Sequence, residues 1–193
     1  VAERLDVEIT FQPIDWAMKE TELDSGNIDM IWNGYTITDE RKEKVLFTEP
    51  YLNNSQIIVT MADSDIKTKA DLAGKVVATQ QGSAAFDAII ADETGIAAEF
   101  DGGTPILYPT FNDVFNDLES GRSDAIVVDE VLGRYTMKLK GEEKFAVLTD
   151  NFGDEEYGVG LRKEDVALKE AIDATMNDMR EDGTYDEIYA KWF

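Results

Sequence analysis

Leu23-Asp24-Ser25-Gly26-Asn27-Ile28-Asp29-Met30-Ile31 returns later in the chain as Leu118-Glu119-Ser120-Gly121-Arg122-Ser123-Asp124-Ala125-Ile126. The two stretches share five identical positions and an Asp/Glu exchange. Each reads as the end of a helix, a glycine that closes it in the left-handed conformation, and an apolar strand with an Asp at its start. Two readings of this echo are open: a joint that any α/β chain reuses, or two lobes built on one plan. In open α/β sheets the residues just past the carboxyl end of a strand face the ligand crevice. After the first copy those residues are Asn33-Gly34-Tyr35-Thr36, and after the second comes Asp129. The echo therefore nominates one site in each lobe.

Outward from these two joints, strand and helix signals alternate. Val7, Ile9 and Phe11 alternate with polar neighbours, which predicts a half-buried strand. Asp15 is placed to cap a helix from Trp16 to about Asp24, and 28–32 reads as a short buried strand. A polar turn at Thr38–Arg41 opens a brief helix, followed by strands at 45–47 and 56–60. Thr68 and Asp71 fit a capping box. Strands follow at 76–79 and 106–108, with helices from Ala84 and from a cap at Asn112. Ala125-Ile126-Val127-Val128 is a continuous apolar run, the pattern of a strand covered on both faces. Further on come a helix at 130–138, a strand at 145–148 and a long amphipathic helix carrying Leu168, Ile172, Met176 and Met179. This alternation predicts an α/β fold with largely parallel sheets.

Composition narrows the chemistry. The chain has 41 acidic and 18 basic residues for a net charge of −23, a field that repels phosphate backbones and makes nucleic acid a poor partner. Cysteine and histidine are both absent, which removes thiol nucleophiles, zinc sites built on Cys and His, and histidine bases. No apolar run approaches the roughly 18 residues of a membrane-spanning helix. Val1–Leu5 reads as the tail of a helix, with no signal segment in this chain. The acidic clusters at Asp150–Glu156 and Glu181-Asp182-Gly183 match no calcium loop and read as solvated surface. Neither a metal nor a cofactor is expected.

At the nominated positions the residue types suit recognition of an anion and a cation. Gly34 through Arg41 offers a glycine for close backbone approach, the Thr36 and Thr38 hydroxyls, and an arginine whose planar fork grips a carboxylate with two parallel bonds. The alternative is a capped turn with Arg41 in a surface ion pair. Gly82-Ser83 precedes a helix and is either an anion site or only a tight turn. Asp129 is either the cap of the following helix or the partner of a cation. Trp16 is either core or a flat wall against a ligand side chain.

Together these residues resemble the polar amino-acid family of bacterial extracytoplasmic solute-binding proteins, the receptors of ABC importers. The resemblance covers essentially the whole chain. It is carried by Gly34–Arg41, Val45–Tyr51, Asp71-Leu72-Ala73-Gly74-Lys75-Val76, Gln81-Gly82-Ser83, the second copy of the echo, and Asp182–Tyr185 through Lys191-Trp192-Phe193. It implies a two-lobed fold with two crossings, with lobe 1 from 1–52 and 157–193 and lobe 2 from 53–156. It further implies that Arg41 binds the ligand α-carboxylate with the help of Gly34 and Thr36. By the same likeness Ser83 supplies the second lobe's carboxylate contact, Asp129 receives the α-ammonium, and Trp16 packs on the ligand side chain. Family members usually begin with a further strand, ligand loop and helix, so the first lobe is expected to be incomplete at its N-terminus.

The implied activity is capture of a free polar amino acid by domain closure, without catalysis. Glutamine, arginine, lysine, histidine and cystine all remain open. The implied partners are the membrane subunits of an ABC transporter. The protein would be a monomer outside the cytoplasmic membrane, periplasmic or lipid-anchored in a Gram-positive cell. Two other readings stand beside it: an enzyme of the same fold, like cyclohexadienyl dehydratase, with Glu130 as its acid, or a sensor module of a larger receptor.

Overall fold

The computed structural model describes residues 1–192, so Phe193, the last residue of the closing segment quoted above, lies outside the described residues. In chain order the elements are α1 (Ala2–Leu5), α2 (Lys19–Asp24), α3 (Asp39–Lys44), β1 (Leu46–Phe47), β2 (Leu52–Met61), β3 (Val77–Gln80), α4 (Ala84–Ala91) and β4 (Ile106–Tyr108). They continue as α5 (Phe111–Glu119), β5 (Ala125–Asp129), α6 (Glu130–Lys140), β6 (Phe145–Tyr157), β7 (Gly160–Leu161), α7 (Val166–Glu181) and α8 (Thr184–Trp192). The chain divides into two compact units. The first holds residues 1–14, 18–52 and Glu156 onward, and the second holds Asp15–Ala17 and Asn53–Glu155.

The second unit is organised by a five-stranded sheet of order β4-β3-β5-β2-β6. β3 runs parallel to both β4 and β5, whereas β2 runs antiparallel to β5, so the sheet is mixed. The apolar run in β5 is fully buried, because successive side chains feed opposite faces. Ala125 and Val127 join Ile58, Val77, Leu72 and Ile89 on one face. Ile126 and Val128 join Ile57, Val59, Phe115 and Leu118 on the other. α5 starts two residues earlier than a cap at Asn112 predicts. Thr110 is its cap, its Oγ1 accepting from Asp113 N at 3.1 Å, and Asn112 sits inside the first turn. The capping box forms as expected, with Asp71 Oδ2 accepting from Thr68 N at 2.9 Å.

The first unit has little sheet. β1 and β7 pair antiparallel over two residues, and Ile31 and Thr36 add isolated bridges to Gly160 and Tyr157. Its core is a layer of Val159, Leu161, Ile172 and Met176, closed by Leu5, Met30, Trp32, Tyr51 and Leu168. The strand expected over Val7, Ile9 and Phe11 is not formed. Those side chains are 57%, 50% and 85% exposed, and alternation without a neighbouring strand to complete the ladder does not hold extended backbone. The strand expected at 28–32 is reduced to the Ile31 bridge for the same reason.

Candidate functional site

In the first unit three of the nominated residues come together. Gly34 takes φ +62°, and a Cβ there would approach the Tyr157 ring at 3.3 Å, so both conformation and space favour glycine. Thr36 is buried and bridges to Tyr157. Thr38 caps α3, its Oγ1 accepting from Arg41 N at 3.1 Å, which fixes Arg41 in the first turn. The Arg41 side chain turns inward and is only 5% exposed. Its Nη1 donates to Thr36 O at 3.1 Å, and its guanidinium lies 4.8 Å from the centre of the Tyr35 ring. The surface ion pair considered from sequence is thus replaced by a buried, oriented fork.

The aromatic bed under Arg41 is itself fixed. Tyr35 is fully buried, stacks on Phe47 at 5.1 Å and donates its hydroxyl to Glu20 Oε1 at 2.9 Å. Burial pushes the Tyr35 phenol well above its ordinary value; Glu20 adds to the rise and Arg41 opposes it. Lys19, also buried, lies 3.3 Å from Glu20. Tyr51 is pushed up to about 12 by burial, against the pull of a hydrogen bond from the Gly34 backbone. Both phenols are therefore neutral near pH 7.

In the second unit Ser83 lies just past the carboxyl end of β3 and Asp129 is the last residue of β5, and the two strands are parallel neighbours. Gly82 has φ +65°, and Ser83 caps α4. The buried Ser83 Oγ accepts from Phe86 N at 3.2 Å and donates to Gln80 O at 2.7 Å. Its hydroxyl proton is thus engaged in the turn, and the start of α4 brings its backbone N–H groups to the same place. Trp16 is half-buried in a short 3-10 turn that groups with this unit, opened by Asp15 Oδ1 accepting from Ala17 N at 3.0 Å.

Asp129 occupies the cap position of α6 but makes no capping hydrogen bond with its side chain. Its Oδ1 accepts from Gln56 Nε2 at 2.6 Å and from Asn54 Nδ2 at 3.2 Å. The same two amides donate to Glu155 Oε1, at 2.8 Å and 2.7 Å respectively. Asn54 Oδ1 in turn accepts from Val131 N at 3.2 Å, taking over part of the work of the missing cap. Gln56 is 1% exposed, and its Oε1 has no hydrogen-bond partner among the described residues, an arrangement that costs on the order of 1–3 kcal/mol. That cost accompanies the placing of one NH2 group between two carboxylates.

Asn54, Gln56 and Glu155 were not nominated by the sequence. Glu155 stood inside a stretch read as solvated surface, and its partners are roughly a hundred residues away. The only available signal was the polar pair Asn54 and Gln56 at the start of an otherwise apolar strand. Glu130, weighed as a catalytic acid, pairs with Arg134 at 2.7 Å across one turn of α6. A cavity of about 660 Å³ in this unit is lined by Lys69, Thr94, Glu99 and Asp150 among others, and by none of the nominated residues.

Comparison with known proteins bears on the whole chain. The family described as bacterial extracellular solute-binding proteins, family 3, matches residues 1–193. The L-cystine-binding protein TcyJ of Escherichia coli (strain K12) is 33% identical over 195 aligned residues, covering 100% of this chain and 70% of that protein. The lysine/arginine/ornithine-binding periplasmic protein of the same organism is 30% identical, covering 100% and 75%. Among solved structures, an ABC uptake transporter substrate binding protein from Streptococcus pneumoniae with bound histidine matches with a TM-score of 0.95 at 37% identity. That match covers 99% of this chain and 78% of the other.

Proposed function

The chain belongs to family 3 of the bacterial extracellular solute-binding proteins, and from that premise we propose that it captures a free polar amino acid. In this reading Arg41 takes the α-carboxylate with Gly34 and Thr36 beside it, and Asp129 receives the α-ammonium. Ser83 and the start of α4 give the carboxylate its second contact, and Trp16 packs on the ligand side chain. The observation that carries the reading is the buried Arg41 fork, held flat by the Thr36 carbonyl and the Tyr35 ring. A guanidinium set in place before ligand arrives loses little further freedom on gripping a carboxylate. The relatives' names, cystine on one side and lysine, arginine and ornithine on the other, support a polar amino acid as the ligand class. The protein acts as a monomer outside the cytoplasmic membrane, periplasmic or lipid-anchored, and delivers its ligand to the membrane subunits of an ABC importer without chemical turnover.

Calorimetric titration with L-glutamine, L-arginine, L-lysine, L-histidine and L-cystine tests this directly. At least one should bind saturably at a single site. Arg41→Lys should weaken that ligand roughly 10- to 100-fold, because a point charge cannot reproduce two parallel bonds. Asp129→Asn should weaken it by a similar factor. Prephenate and arogenate should be recovered unchanged after incubation. Absence of binding by all five amino acids, or full affinity in both variants, would sink the reading.

A further inference from the structure

The geometry points to Glu155 as a second acceptor for the ligand's ammonium group, acting together with Asp129. This inference rests on the proposed amino-acid site and adds to it a residue from a different strand. Gln56 Nε2 lies 2.6 Å from Asp129 Oδ1 and 2.8 Å from Glu155 Oε1, so the two carboxylates are near neighbours. Asn54 Nδ2 repeats the bridge at 3.2 Å and 2.7 Å. Two like charges this close disfavour each other, and a cation set between them relieves both.

The layering of the cluster matters as much as its charge. Asn54 and Gln56 are buried behind the acids, whereas Asp129 and Glu155 are each half-buried. Neutral amides thus hold one oxygen of each carboxylate from the interior. Gln56 keeps this orientation although its own Oε1 is buried without a hydrogen-bond partner among the described residues. An amide locked in that way presents the two acids as a unit. An ammonium carries three donors and can serve more than one carboxylate at once, as a hydroxyl cannot.

The test exploits that difference. L-histidine, L-arginine, L-lysine and L-glutamine are titrated by calorimetry into wild type, Glu155→Gln and Asp129→Asn, each beside its own α-hydroxy acid. For the amino acids that wild type binds, Glu155→Gln should lower affinity about tenfold or more, the scale of one charge-assisted hydrogen bond. For the matching hydroxy acid the same substitution should leave affinity unchanged or raise it. Equal losses on both ligands would make Glu155 a structural prop and overturn the proposal, as would no loss on either. Glu155→Ala, which places no new amide beside Gln56, gives the same reading if the Gln variant does not fold. Failure of wild type to bind any amino acid, L-cystine included, or full affinity in both Arg41→Lys and Asp129→Asn, would instead overturn the amino-acid reading itself. A loss in Asp129→Asn with none at Glu155 overturns only the present inference.

Discussion

The first and second units begin from one motif and end differently. Leu23 and Leu118 are both fully buried, and Gly26 and Gly121 both take φ near +70°, at 76° and 71°. In the second unit the residues that follow become β5, where Ile126 pairs with Val59 on one side and Ala78 on the other. In the first unit Ile31 makes only an isolated bridge to Gly160. Similar local sequence therefore gives the same joint but not the same strand. A helix stop is a local event decided by one residue's dihedrals. A strand depends on neighbours that lie far along the chain.

The largest consequence of this difference is in stability. Ile126→Ala should destabilise the protein by about 3–5 kcal/mol, since a side chain with no exposure among Phe115, Leu118 and Val128 leaves a cavity that two strands hold open. Ile31→Ala should cost less, about 2 kcal/mol, because its surroundings can relax onto the gap. Urea unfolding of both variants measures the contrast. Equal losses would show that the bridge at Ile31 is as rigid as the full ladder.

A smaller effect comes from a buried acid in the second unit. Asp117 accepts from Tyr108 Oη at 2.6 Å, from Arg122 Nε at 2.5 Å and from the Ser123 hydroxyl. Burial alone would raise its carboxyl, yet the bonds from Ser123, Tyr108 and Arg122 outweigh burial and hold it below the ordinary range. A depressed folded value means that the stabilisation is present above the unfolded value, about pH 4, and is lost as pH falls through the folded one. Asp117→Asn should cost about 1–3 kcal/mol at pH 6. The gap to wild type should narrow steadily below pH 4, as read from unfolding curves at stepped pH. A gap that stays constant with pH would mean that shape, not charge, is what Asp117 contributes.

These contrasts also mark what the sequence could disclose. The helix starts after Thr38 and at Ala84, the capping box at Thr68 and the buried run of β5 were all legible, because each is settled within a few residues. Membership in the family was legible from motifs spread over the chain. The alternation at Val7, Ile9 and Phe11 misled, because period two encodes a preference and not a partner. Asn112 misled by one residue pair, since Thr110 offered an equally good cap two positions earlier. Asp129 was nominated by its position, but its amide partners lie 75 and 73 residues away, and Glu155 joins through the same two side chains. Composition had made Glu155 look like ordinary acidic surface.

The glycines give a tighter comparison than the strands. A Cβ at Gly26 or at Gly121 would meet nothing within 4 Å, so Ala at either position is opposed by backbone conformation alone. Each substitution should therefore cost about 1–2 kcal/mol, the same in both units despite the different strands that follow. If Gly121→Ala proves clearly worse than Gly26→Ala, the joint is not local after all. The echo would then carry less meaning than its five matched positions imply.

The smallest expected effect lies at the surface of the first unit. Asp182 is held down to about 2 by the Thr184 hydroxyl and backbone N–H, and then by Arg4. Thr184 N donates to Asp182 Oδ1 at 3.0 Å, while Arg4 Nη2 lies 2.8 Å from Oδ2 with both side chains well exposed. Exposed pairs are weak and screened by salt, whereas a hydrogen bond inside the turn that opens α8 is not. Arg4→Gln should therefore leave most of the depression in place in an NMR titration of Asp182, and added salt should change the wild-type midpoint only slightly. Thr184→Val should raise the midpoint further than Arg4→Gln does. The reverse order would mean that the contact from α1, not the local turn, controls this acid. It would set this surface acid of the first unit closer to Asp117, whose partners also include a charged arginine from outside its own helix.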